Sequence, residues 1–329
     1  MLAFIVRRLL QAVGVMLAVA FIAFTLFQYV GDPVGNMVGQ DATPEQRQQL
    51  RHDLGLDQPA PVQFARFVVH ALHGDFGISL RQGRRVSVLV AERLPATIEL
   101  SVVAAVLSLA IGLPLGVHAA LRRGHFGAQV SMVVSLLGVS QPVFLFGIVL
   151  IELFAVELHW LPSYDRGATV QLGSWSTGLL TRDGWAHLVL PAATLAVYQL
   201  TLIMRLVRAE MLEVLRTDYI RFARARGLSD RVVHFGHALR NTLVPVITIT
   251  GIQLGGLMAF SIVTETVFAW PGMGSLFIQA VQFADVPVMA AYLCLIALVF
   301  VVINLAVDLL YFAVDPRLRL QAAPAGAGR

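Results

Sequence analysis

The 329-residue sequence contains no lysine; all 24 of its basic residues are arginine. A phosphate-binding Gly-x-x-x-x-Gly-Lys-Ser/Thr loop is therefore excluded, because its lysine is the group that reaches the phosphates. A Schiff-base lysine is excluded on the same ground. Cysteine is nearly absent. The single Cys294 lies in an apolar run, which rules out an intrachain disulfide framework and a cysteine-rich metal site. It reads as a small hydrophobe. Charge is scarce too: 13% of residues are charged and 57% are hydrophobic, where soluble domains carry about a quarter charged. That much apolar surface requires lipid as its solvent, and the same balance excludes a disordered chain. There is no His-Glu-x-x-His, Gly-x-Ser-x-Gly or Gly-x-Gly-x-x-Gly run, so no catalysis, metal site or bound cofactor is expected of this chain alone.

What the sequence does have is long apolar runs flanked by arginine. The formal net charge is +4. The arginines sit beside the runs, which argues for membrane topology rather than nucleic acid. Six spans are predicted, at 9–30, 96–121, 130–157, 188–207, 243–268 and 288–313. The first follows Arg7 and Arg8 and exceeds the ~7–15 residues of a signal-peptide core, so it reads as an uncleaved helix. Its length suits a hydrocarbon core of about 30 Å. The fold class expected is an all-α membrane protein with six transmembrane helices, a large first external loop and a cytoplasmic loop at 208–242. The corresponding segments are 1–30, 31–94, 95–313 and a tail at 314–329. Six spans put both termini on one side, together with Arg122, Arg123, the arginines from Arg205 to Arg240, Arg317, Arg319 and Arg329. That side is predicted to be cytoplasmic. Pro114, Pro142 and Pro191 fall inside spans and favour kinks. They read first as packing geometry, with gating hinges as the sharper alternative.

The segment 31–94 is too polar to span. Thr43-Pro44-Glu45-Gln46 has the pattern of a helix start, with Thr as N-cap and Gln three residues on. The helix should run to about Leu54 and end at Gly55. His70 and His73 are spaced i, i+3. Without a third ligand they read as surface histidines.

The internal loop is the most informative stretch. A helix rich in Arg, Ala and Glu is predicted from Arg208 to Arg226, ended by Gly227 in the left-handed conformation. Ser229 then N-caps a second helix, with Asp230 in its first turn. A helix, a tight turn and a helix is a shape suited to a groove on another protein. An amphipathic segment lying on anionic lipid fits the composition equally well.

The residues 218–228, Asp-Tyr-Ile-Arg-Phe-Ala-Arg-Ala-Arg-Gly-Leu, resemble the cytoplasmic coupling motif of binding-protein-dependent ABC importer permeases of the dipeptide, oligopeptide and nickel branch. That motif commonly reads Tyr-x-Arg-Thr-Ala-Arg-Ala-Lys-Gly-Leu. Phe222 stands for the common Thr and Arg226 for the common Lys, and Arg221 occupies the position where the wider superfamily has Glu. Similar blocks recur in order: Gly31-Asp32-Pro33, Leu54 to Pro59, Gly74 to Ser79, Leu94 to Leu100, His237 to Asn241, Glu265 to Gly274, Asn304 to Tyr311 and Asp315-Pro316-Arg317. The large first external loop matches the first of the two permeases. The resemblance implies a heterodimer with a second permease, two cytoplasmic ABC ATPases, an external substrate-binding protein, and the bacterial inner membrane as location. It also implies that Tyr219, Ala223, Ala225, Arg226, Gly227 and Leu228 couple the chain to an ATPase. The cargo it suggests is dipeptides or oligopeptides, with nickel, glutathione or opines as alternatives. The external loops 31–94 and 163–185 are expected to touch the binding protein.

Polar groups in the spans are the other candidates, because intramembrane carboxylates default to function. Glu265, Asn304 and Asp308 are candidates for gating or pairing. Glu99, Glu157 and Glu265 lie near predicted span ends, where water is expected to reach them. Asn304 and Asp308, spaced i, i+4, are expected to satisfy each other or a partner helix. An ion-driven secondary transporter would need mid-span carboxylates and inverted repeats; no internal repeat is visible.

Overall fold

The computed structural model describes residues 2–29, 43–53 and 57–314. Gly55, the expected end of the first external helix, and the 31–33 and 315–317 blocks lie outside them. The described residues are mostly helical: α1 (Leu2–Tyr29), α2 (Pro44–Asp53), α3 (Ala60–Leu72), α4 (Val86–Leu121), α5 (Phe126–Ser140), α6 (Val143–Leu150), α7 (Arg182–Val214), α8 (Asp218–Ala225), α9 (Leu239–Val267), α10 (Met273–Gln282) and α11 (Val286–Val314). Among the described residues, five stretches are long and apolar enough to cross a membrane: Val6–Leu26, Val86–Leu121, Arg182–Val214, Val232–Val267 and Val286–Leu309.

The remaining expected span, 130–157, is not one helix. It is α5, a break at Gln141 and Pro142, then α6, which runs on as a π-helical segment, Ile151–Glu157. Proline has no amide hydrogen and disfavours helical geometry in the residue before it. Pro142 accordingly sits extended at φ −57°, ψ 136° as the N-cap of α6. By contrast Pro114 and Pro191 lie inside continuous helices. α4 also starts earlier than the predicted boundary, at Val86 within the expected loop.

α7 is the middle of the bundle. Leu188, Ala192, Leu195 and Ala196 on it pack against Ala96, Leu100 and Ala104 of α4, with Leu257 of α9 and Trp270 closing the cluster. Lipid supplies no hydrophobic drive between helices, so close approach through small residues carries the association. Gly112 and Gly116, one Gly-x-x-x-Gly pair on α4, meet the α7 backbone: a Cβ there would lie 2.9 Å from the Leu200 carbonyl oxygen and 2.7 Å from that of Met204. A second pair, Gly251 and Gly255 on α9, receives Val307 and Phe300 of α11.

α11 also holds α1. Ala23 meets Ala290 and Cys294, and Arg8 donates to the Asp308 carboxylate at 2.7 Å. Asn304 instead donates to the Phe300 carbonyl of its own helix, at 2.8 Å. Asp308 thus pairs with another helix, and the two residues do not pair with each other. α3 lies along α1, with Phe64 against Phe21 and Phe24 at ring distances of 5.7 and 5.6 Å. At the start of α2 the expected capping box is present: Thr43 N–H donates to the Gln46 side chain at 3.1 Å, and Gln46 N–H to the Thr43 hydroxyl at 3.3 Å.

The two α4 positions give a test. Gly116→Val must push against backbone, and overpacking of this kind costs about 1–3 kcal/mol. Its thermal unfolding midpoint in detergent is expected to fall clearly. Gly14→Val, where a Cβ meets nothing within 4 Å, is expected to leave the midpoint nearly unchanged.

Candidate functional site

Apart from Asn304 and Asp308 on α11, the main residues singled out from sequence fall in two places, one at each end of the bundle. At the arginine-rich end α7 does not run to Arg226 as predicted. It stops at Val214, and the chain turns through 215–217 before α8 begins at Asp218. Thr217 marks the break. It is extended, and its hydroxyl donates back to the Val214 carbonyl at 2.5 Å. Thr is a weak helix former for this reason, since its hydroxyl competes for local backbone groups.

α8 ends as the sequence implies. Gly227 has φ +77°. Its N–H donates to the Arg224 carbonyl at 2.9 Å, and the Leu228 N–H to that of Ala223 at 3.4 Å. This pair of bonds is the Schellman termination, which needs a residue in the left-handed region. The chain then re-enters a helix at Asp230. Ser229 stands at the N-cap position, its carbonyl accepting from Val233 N–H at 3.0 Å. A π-helical segment, Val232–Ala238, leads into α9.

The turn is seated, not dangling. Ile220 and Ala223 are buried with Ala120, Met211, Val233 and Ala238. The Asn241 side chain donates to the Tyr219 hydroxyl at 2.6 Å, tying α8 to the start of α9. Facing outward are Tyr219, Phe222, Arg224, Ala225, Arg226, Gly227 and Leu228. The Arg226 guanidinium lies 5.7 Å from the Phe222 ring. Of the six residues expected to couple, five are exposed; Ala223 instead packs inward and fixes how the others are presented.

At the opposite end the structure corrects the reading of the carboxylates. Glu99 and Glu265 are both buried from water, whereas Glu152 and Glu157, on the π-helical segment after α6, are exposed. The reason is the chain that folds back over them. The loop after Glu157 carries a hairpin absent from the sequence reading: β1 (Val170–Leu172) and β2 (Trp175–Thr177), antiparallel. From this loop Arg166, itself buried, donates to Glu99 at 2.6 Å and to the Ser176 carbonyl at 2.7 Å. Trp175 and the Gly178 amide donate to the same carboxylate, each at 3.3 Å.

Glu265, near the end of α9, is fully buried and faces the first turn of α10. It accepts from the Thr97 hydroxyl at 2.6 Å, the Ser261 hydroxyl at 3.1 Å and the Ser275 amide at 3.0 Å. Thr97 in turn accepts from the Met273 amide at 2.7 Å. A helix start has unpaired N–H groups and a positive dipole end, and this carboxylate satisfies both. Gly272 is required here, since a Cβ would fall 2.4 Å from the Glu265 carboxyl carbon. The Trp270 indole donates to the Ala96 carbonyl at 3.1 Å.

A third buried carboxylate, Asp285, escaped the sequence reading. It accepts from the Ser79 hydroxyl at 2.5 Å and from the amides of Leu80 and Arg81 at 3.1 and 3.3 Å. Its position just before α11 was the available signal, because Asp is a common helix cap. His70 and His73 do not share a site: His70 faces Asp75 at 3.3 Å, and His73 its own helix carbonyl at Val69. Among the described residues no cluster of three metal-ligating side chains occurs.

Known proteins place this arrangement. The family model for the binding-protein-dependent transport system inner membrane component matches residues 112–320, and the model for its N-terminal part matches 1–101. The dipeptide transport system permease protein DppB of Escherichia coli strain K12 is 38% identical, over 97% of this chain and 99% of its own length. DppB of Alkalihalophilus pseudofirmus is 36% identical over 97% and 100%. The glutathione transport system permease protein GsiC of Salmonella paratyphi A is 37% identical over 97% and 99%. Among solved structures, the inward-facing MetNI methionine ABC transporter superposes with a TM-score of 0.54 at 22% identity, covering 69% of this chain and 96% of that one. The chain belongs to the family of inner membrane components of binding-protein-dependent transport systems.

Proposed function

We propose that the chain is one of two different permeases of an ATP-driven importer for dipeptides or oligopeptides, and that segment 215–241 is where its ATPase pushes. Relatives named for dipeptide and for glutathione transport support a short-peptide cargo, glutathione being itself a tripeptide. Six membrane crossings, the broken α5–α6 run included, put both termini with the arginine-rich end in the cytoplasm. Two cytoplasmic ATPases and an external binding protein complete the machine; hydrolysis belongs to them. The external loops, with α3 and the hairpin, are the surface offered to the binding protein.

One observation carries the coupling role: a seated, exposed turn whose geometry is fixed from below by Ile220 and Ala223 and from its end by Gly227. A ligand shifts a two-state equilibrium only through its differential affinity for the states. A rigid turn delivers that difference to α7 and α9, which it joins, and a loose one does not. At the other end, Glu265 and Glu99 fix the outer corners of the bundle so that motion of α9 and α4 carries the cap with it.

Gly227→Val tests the coupling. A Cβ at Gly227 meets nothing within 4 Å, so the effect is conformational: the left-handed region costs an ordinary residue about 1–2 kcal/mol, and a β-branched one more. In proteoliposomes with the partner subunits, uptake per ATP hydrolysed is expected to fall severalfold for Gly227→Val and to stay near normal for Gly227→Asn, since Asn visits this region. Undiminished uptake by Gly227→Val removes the coupling role. Glu265→Leu leaves several buried donors without an acceptor, at about 1–3 kcal/mol each. It is expected to lower the yield of folded protein sharply, with Glu265→Gln losing less. Equal yields of the two variants contradict the role given to the carboxylate.

A further inference from the structure

Where α4 turns into α5 at the arginine-rich end, a cavity of about 390 Å³ opens between these helices and α7. Its apolar floor is buried Ala119 and Ala128 with half-buried Met132, and Val133, Arg123, Arg208 and Gln129 line the more exposed edge. Neither arginine has a carboxylate partner among the described residues, although the surface nearby adds Arg122 and Arg205 to the positive charge. On one side the cavity is continuous with the outer face of α5, where Phe126, Val130, Val133 and Leu136 are exposed at 81, 41, 58 and 50%. Such a face is at home only in hydrocarbon or against another apolar surface.

We propose that this cavity binds the headgroup of one anionic phospholipid. Two planar guanidinium groups and a carboxamide supply the donors a phosphodiester takes. The apolar floor and the exposed α5 face receive the glycerol and acyl chains. Basic pockets between helices at a membrane surface favour anionic over zwitterionic headgroups for this reason. Free phosphate shares the headgroup's chemistry but makes no use of Met132, Val133 or the α5 face, which is why the lipid is the ligand assigned. The inference requires a membrane around α5; it does not depend on the coupling role of Gly227, which leaves both arginines untouched.

The test is native mass spectrometry of the chain purified with its associated subunits and titrated with phosphatidylglycerol, phosphatidylcholine or inorganic phosphate. The wild type is expected to retain one phosphatidylglycerol in preference to phosphatidylcholine, and millimolar phosphate is expected not to displace it. R123Q/R208Q is expected to lose affinity by about thirtyfold, from the usual contribution of two arginines at a membrane surface. R7Q, which removes an exposed charge on α1, away from the cavity, is expected to bind as the wild type does. Subunit composition in the same spectra reports whether each variant is assembled, and M132W, which fills the floor and keeps both charges, is expected to lose the lipid as well. Retention by R123Q/R208Q or by M132W, equal loss in R7Q, equal binding of phosphatidylcholine, displacement by phosphate, or a cavity covered by a second permease and holding no lipid would each overturn the proposal.

Discussion

Glu265 is an acid with no access to water, and the outer half of the bundle is arranged around satisfying it. Burying a carboxylate costs several kcal/mol unless donors replace its hydration. Here they come from three segments: Thr97 of α4, Ser261 of its own helix and Ser275 in the first turn of α10. The same contacts answer a second need, the unpaired N–H groups at the start of α10. In lipid neither debt can be left to water, so α4, α9 and α10 are fixed together at this corner. Glu99 with Arg166 and Asp285 with the 79–81 turn repeat the device at neighbouring positions. These polar bonds act beside an apolar cluster at the same end, in which Met273, Leu276 and Ala280 of α10 pack on Val86 and Leu89 of α4 and on Val288 and Tyr292 of α11.

The arginine-rich end is built on the opposite principle. Its turn is held by small apolar contacts beneath and by backbone geometry at Gly227, and it leaves aromatic and cationic side chains outside. One end thus has three carboxylates buried and bonded, and the other displays basic and aromatic side chains on a short turn. On the coupling role proposed for 215–241, the displayed turn is the lever and the bonded outer end is the frame against which it acts. The Gly-x-x-x-Gly contacts, α4 against the backbone of α7 and α9 against side chains of α11, join the two ends by close packing, which yields little under load.

The helices themselves were legible from apolar run length, because the bilayer sets that length. The capping box at Thr43 and the termination at Gly227 were legible because each is a local backbone solution with its own residue code. Other features were not, the hairpin and Asp285 among them, and three show why. The break at Pro142 was hidden because an apolar run reports hydropathy and not continuity. The stop at 215–217 was hidden because Arg, Glu and Leu on either side are all good helix formers, leaving only Thr217 as a signal. The burial of Glu99 and Glu265 was invisible because it is made by residues 67 and 168 positions away in sequence, Arg166 and Thr97. The sequence blocks quoted for their resemblance make physical sense in the fold: the block around Thr97 and Glu99 lies against the block from Glu265 to Gly274, and Ser79 of a third block reaches Asp285.

The central claim is that the exposed face of α8 meets an ATPase, and site-directed cross-linking tests it most directly. The only native cysteine, Cys294, is buried, so F222C introduces a single accessible thiol at a position 64% exposed. With a short photoreactive cross-linker on that thiol in native membranes, the account predicts one adduct whose added mass is an ABC ATPase, weakened when ATP changes the spacing. A labelled thiol that yields only lipid adducts, with the complex intact, would contradict it and return 215–241 to the status of a segment lying on the membrane surface.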